Sequence, residues 1–79
     1  MSTFNEYMRK NIACKIRELR IKAGYTQEEL SELLNKNSKY IGHIERGERQ
    51  ISIIGLCEIM EFFKTQPKDF YSFNTEYKW

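Results

Sequence analysis

An all-α domain of five short helices is the fold class this sequence predicts, and three observations carry that reading. Four glycines and one proline interrupt 79 residues, too few breaks for the many turns of a sandwich or barrel. Apolar residues recur at intervals of three and four rather than two. A Thr followed three positions later by Glu precedes two of the apolar runs, the pattern that caps a helix N-terminus. With 41% hydrophobic and 30% charged residues, the composition is that of a globular chain. The length fits one domain over residues 1–79. A domain of this size buries only about 60% of its unfolded surface, so self-association is the expected extra support.

The first helix is predicted over 4–23. Thr3-Phe4-Asn5-Glu6 is its capping box, and Phe4, Met8, Ile12, Ile16, Leu19 and Ala23 form one stripe before Gly24 stops it. Arg9, Lys10, Arg17 and Lys22 lie largely off that stripe. The second helix, over 27–34, opens on Thr26-Gln27-Glu28-Glu29, whose acids suit the positive end of the helix dipole. Leu30, Leu33 and Leu34 are its apolar face, and Asn35-Lys36-Asn37 interrupts it with turn-forming residues. Asn37 caps a third helix from Ser38 to Arg46, ended by Gly47. Ile41 and Ile44 point inward, while Ser38, Lys39, Gly42, His43 and Arg46 fall on the other side. That outward face carries small and donor-bearing residues and no acid. Ser52 caps a fourth helix whose core stripe is Ile53, Leu56, Ile59, Met60 and Phe63, and Pro67 begins a fifth that runs to Tyr71.

Composition also excludes several function classes. Cys14 and Cys57 stand without a Cys-x-x-Cys or paired Cys/His spacing. A disulfide framework and a structural zinc are therefore not expected, and the two thiols read as reduced ones of a cytoplasmic protein. No window approaches ~18 apolar residues and the N-terminus lacks a signal-type apolar stretch, so no membrane association is expected. The single histidine, His43, has no nucleophile and acid arranged with it, and no Gly-rich phosphate loop occurs, so an enzyme is not expected. The net charge of +2 hides an uneven distribution. Residues 1–27 hold six cations against two acids, 28–35 three acids and no cation, and 36–49 four cations against two acids. Two basic blocks flank an acidic one, as suits a chain with one face toward an anion.

Two short helices joined by a tight turn, the second with a polar donor face, form a helix-turn-helix pattern over 27–46. The stretch IRELRIKAGYTQEELSELLNKNSKYIGHIERGERQIS resembles the Cro/phage-repressor family, also called the XRE type. The similarity runs from about Ile12 to Tyr71. Its most specific pieces are Leu19-Arg20 before Gly24, Thr26-Gln27-x-Glu29-Leu30, and Tyr40-Ile41-x-x-Ile44-Glu45-Arg46-Gly47.

The resemblance implies a lambda-repressor-like fold and double-stranded DNA as the partner, with no cofactor and no small-molecule ligand. Gln27 is expected to grip a DNA phosphate. Ser38, Lys39 and His43 match positions that reach base edges, Asn37 and Tyr40 match positions near the backbone, and Arg46 and Arg49 resemble phosphate contacts. These residue types fit such roles: a lysine donates to guanine O6 and N7, and Ser or His reads several edges. Glu45, i+4 from Ile41, tilts toward the core, and the family pairs it with Arg20 in a partly buried ion pair. The sequence departs from the family at Gly42, at the turn Asn35-Lys36-Asn37, and at Lys64 after the fourth helix.

The aromatic end, residues 67–79, has two readings. Its rings either close the monomer core, or an exposed subset forms a dimer interface as the family's fifth-helix region commonly does, with Phe70, Tyr71, Phe73 and Trp79 as its residues. The dimer is the favoured expectation, placing two recognition helices about 34 Å apart on a palindromic operator. A helix-turn-helix used mainly for protein–protein contact is the competing function. The length leaves no sensor domain in this reading. Among short family members, the run Arg49-Gln50-Ile51-Ser52-Ile53 looks most like restriction–modification controllers, beside phage repressors and antitoxins.

Overall fold

A computed structural model describes residues 3–79 as five helices: α1 (Phe4–Ala23), α2 (Gln27–Leu33), α3 (Tyr40–Glu45), α4 (Ile53–Phe63) and α5 (Pro67–Phe70). No strand occurs among the described residues. Both capping boxes form, Thr3 with Glu6 at α1 and Thr26 with Glu29 at α2, each side chain taking a backbone N–H of the other's residue. Gly24 ends α1 in the left-handed region, at φ 84°. Asn35 takes the same conformation after α2, at φ 59°. The family's glycine is thus replaced by the residue other than glycine that best tolerates this backbone.

The third helix is shorter than the spacing predicts. Asn37 accepts the Lys39 N–H on Oδ1 and the Tyr40 N–H on its carbonyl, both at 2.9 Å. This holds residues 38–39 in a turn, so Ser38 and Lys39 precede α3 instead of lying in it. The first turn of α3 is satisfied from outside. The Ser31 hydroxyl of α2 donates to the Gln27 carbonyl at 2.8 Å and accepts the Ile41 N–H at 3.0 Å, fully buried. A buried hydroxyl at a helix start normally belongs to the helix's own N-cap; here a neighbouring helix supplies it.

Ile16, Leu30, Ile41, Ile59 and Phe70 are fully buried at the centre, with Tyr40, Ile44 and Leu56 around them. One apolar residue from each of the five helices therefore meets at one point, and α3 is fixed against α1, α2 and α4 together. Phe70 is only 1% exposed; it is a core residue, which corrects its expected place in a dimer interface. Its position follows from Pro67 and the single turn of α5, which aims the ring inward. Ile53, expected in the core stripe of α4, is 79% exposed, and Ile54 beside it is 73% exposed. The Ser52 cap, whose hydroxyl accepts the Gly55 N–H, sets the helix register that turns both outward and Leu56 inward. Leu33 is likewise half exposed.

The remaining aromatics are not a uniform set. Residues 72–79 run back along the first turns of α1. The Tyr7 hydroxyl donates to the Thr75 carbonyl, and the Thr75 hydroxyl donates to Asn11 Oδ1 at 3.2 Å. Phe73 and Tyr77 pack edge-on against Tyr7. Trp79 stacks on Phe4 with ring centroids 5.0 Å apart, yet stays 95% exposed.

Candidate nucleic-acid interface

The residues around α3 rest on a buried polar joint. Arg20, on α1, donates from Nε to Glu45 Oε2 at 2.7 Å and from Nη2 to Oε1 at 3.0 Å, a two-point fork. Its third nitrogen donates to the Tyr25 carbonyl at 2.9 Å. Gln27 Nε2 donates to Glu45 Oε1 at 2.9 Å. The two ion-pair side chains are 11% and 3% exposed. The hydrogen bonds to Glu45 push the Arg20 pKa further up, so the guanidinium stays charged at any ordinary pH. Three helices converge on one carboxylate, which fixes the C-terminal end of α3 relative to the N-terminus of α2. Isolated burial of that carboxylate would be costly, and the fork with its extra donor offsets the cost.

Gln27 therefore spends one amide hydrogen on Glu45 and keeps the other. Its Oε1 lies beside Gly42, which is buried rather than outward as its helical position suggests. A Cβ there would sit 2.9 Å from both Gln27 Oε1 and an Arg46 Nη atom. Gly42 is thus a floor over which Gln27 and Arg46 lie side by side. A second close approach involves Tyr40, whose hydroxyl would be 2.7 Å from a Cβ on Gly55 of α4.

Tyr40 is 8% exposed, and in the free chain its ring packs with the core. Burial pushes its pKa above the usual tyrosine value, against the opposing pull of Lys36 and Arg49. The Arg49 guanidinium lies 5.3 Å from the ring centroid and Lys36 Nζ 5.6 Å. Tyr40 consequently holds Arg49 in place through a cation–π contact.

The other expected residues are at the surface. Asn37, Lys39, Arg46 and Arg49 are exposed, and Ser38 and His43 are half-buried. Lys39 has no carboxylate partner among the described residues, and its ammonium is free to donate outward. Arg46 donates through Nε and Nη2 to Glu48 at 3.2 and 3.4 Å, and His43 Nε2 lies 4.0 Å from the same carboxylate. The Arg46 hydrogen bond holds the Glu48 carboxyl below the usual range. This pair is open to solvent and so is weakly held, leaving Arg46 available to a stronger anion.

The surface thus carries donors on either side of α3, mounted on a joint that fixes the helix's angle. A family model described as helix-turn-helix matches residues 16–70. The chain belongs to this helix-turn-helix family, of the XRE type. It is a DNA-binding regulator of transcription and not an enzyme. The helix-turn-helix chain is 36% identical over 62 residues to the control protein C.BamHI of Bacillus amyloliquefaciens, covering 77% of its own length and 76% of that relative. Among solved structures, it is similar to the restriction–modification controller protein C.Esp1396I. The TM-score there is 0.73 at 28% identity, over 89% of this chain and 86% of that one. The controller C.AhdI of Aeromonas hydrophila gives a TM-score of 0.72 at 26% identity, over 82% of this chain and 98% of that one.

Reading the sequence alone missed Ser31. The residue sits mid-helix among acids, and no spacing in the sequence points to its partner Ile41 across the turn. Among the described residues no cluster of side chains suited to a metal ion occurs, and no helix is long and apolar enough to cross a membrane.

Proposed function

We propose that the chain acts as a controller-type regulator that binds a two-fold symmetric DNA site as a homodimer, with α3 laid into the major groove. The observation that carries this reading is the exposed, unpaired Lys39 just before α3 together with the exposed Arg49 after it, around a helix locked by the Arg20–Glu45–Gln27 joint. In this assignment Ser38, Lys39 and His43 read base edges. Gln27, Asn37, Arg46 and Arg49 hold phosphates, with Arg49 positioned by Tyr40. The three similar proteins named above, each a controller, support the same role.

The homodimer face is assigned to the outward side of α4, where Ile53 and Ile54 are the most exposed branched side chains. Tyr71 and Trp79 are exposed as well, and Phe73 is half-buried against Tyr7 and Tyr71. Two isoleucines at such exposure cost solvation free energy that a partner would recover. Selecting duplexes from a random pool tests the DNA assignment, and sedimentation tests the dimer. A palindromic consensus and a mass twice that of one chain are expected. Ile54→Asp should give a monomer with weakened DNA binding; a monomeric unsubstituted chain would overturn the dimer.

A further inference from the structure

Helix α1 begins twelve residues before the family match at residue 16, and this added length brings Arg9 to the edge of the candidate DNA surface. Arg9 Nη2 donates to the carbonyl of Gly47, the residue that closes α3, at 3.3 Å. The remaining guanidinium donors have no partner among the described residues. Beside it lies a cleft of about 150 Å³ between the start of α1, the 47–51 loop and the start of α4. Arg9, Arg49, Asn5 and Gln50 line its polar side, and Ile44 and Leu56 its floor. No carboxylate lines it.

Two cations and two carboxamides converging on a concave site without an acid repel other cations and attract one small anion. The apolar floor lowers the local dielectric and strengthens that attraction. The cleft is continuous with the C-terminal end of α3, so a duplex laid along α3 would bring its backbone toward this cleft. We propose that Arg9, together with Arg49, clamps one phosphodiester of the DNA backbone at the flank of the recognition helix. This contact lies outside the helix-turn-helix itself. The inference rests on the DNA-binding reading above. It adds affinity and fixes orientation and carries no base preference, because a phosphate is the same at every sequence.

The test measures binding of the full chain to its selected duplex and to a mixed-sequence duplex, by fluorescence anisotropy from 50 to 200 mM salt. Loss of one phosphate contact flattens the slope of log K against log salt by about 0.9. Arg9→Gln, which leaves Arg49 on the same phosphate, is expected to flatten the slope on both duplexes by up to that amount, so that its deficit relative to the unsubstituted chain shrinks by up to about 3.5-fold across that range. Its base preference should be unchanged, and Arg9→Lys should keep the slope. A slope for Arg9→Gln equal to that of the unsubstituted chain would overturn the clamp. Should Arg9→Gln fold poorly, a scan of neutral methylphosphonates along the duplex serves instead. At one backbone position the unsubstituted chain should weaken more than Arg9→Ala does, and equal weakening of the two at every position would overturn the proposal. Failure of the DNA-binding reading itself is distinct: the unsubstituted chain would then bind neither duplex.

Discussion

Removing the Ser31 hydroxyl leaves the Ile41 N–H without an acceptor inside a buried joint between α2 and α3. An unsatisfied buried donor costs about 1–3 kcal/mol. Ser31→Ala is therefore expected to lose that much in a denaturant melt, far more than a surface serine; an unchanged midpoint would contradict the joint. The Arg20–Glu45 fork is the second residue-scale device. Removing one partner of a buried pair typically costs about 3–5 kcal/mol because the other charge is stranded. Arg20→Met and Glu45→Gln should both melt earlier by an amount in that direction, and no destabilisation in either would sink its role. The inward tilt of Glu45 was legible in the sequence because it falls i+4 from an inward Ile41, whereas its pairing with Arg20 was implied by the family resemblance. Ser31 was not legible, because its partner belongs to another helix and a serine in an acidic run reads as solvated.

At the scale of elements, caps were the most readable feature. Thr3, Thr26 and Ser52 each accept the backbone N–H that the sequence pattern assigns them. The start of α3 was misread because Asn37 can cap a helix or open a turn with the same side chain, and it does the latter. Ile53 was misread for a related reason. Helical periodicity gives the angle between side chains but not which arc faces inward when Ile53, Ile54, Leu56 and Cys57 are all apolar. The C-terminal end of α4 offers a test of backbone strain. Lys64 holds the left-handed conformation at φ 53°, where a side chain costs about 1 kcal/mol relative to glycine. Lys64→Gly should raise stability by up to about 1 kcal/mol in a thermal melt, and a loss of stability would contradict the strain assignment.

For the molecule as a whole, the aromatic C-terminal segment divides between three environments: Phe70 in the core, Phe73 and Tyr77 against α1, and Trp79 open to solvent. Composition alone could not make that division, since an aromatic-rich tail has the same sequence signature whether it closes a core or meets a partner. The reading surface was more legible, because base-reading and phosphate-holding side chains must be exposed donors near α3, and most of those named are. Tyr40 differs from them: its ring packs with the core, and the Arg49 guanidinium lies against it. The central claim is that the Lys39 side of α3 reads sequence while the flanking arginines hold the backbone. It is tested most directly by the base preference of Lys39→Ala and Arg49→Ala on a randomised duplex pool, measured at two salt concentrations. Lys39→Ala is predicted to change the preferred base within each half-site. Arg49→Ala is predicted to bind all sites more weakly, with the consensus intact and a shallower salt dependence. An unaltered consensus for Lys39→Ala, or binding indifferent to salt, would contradict the account.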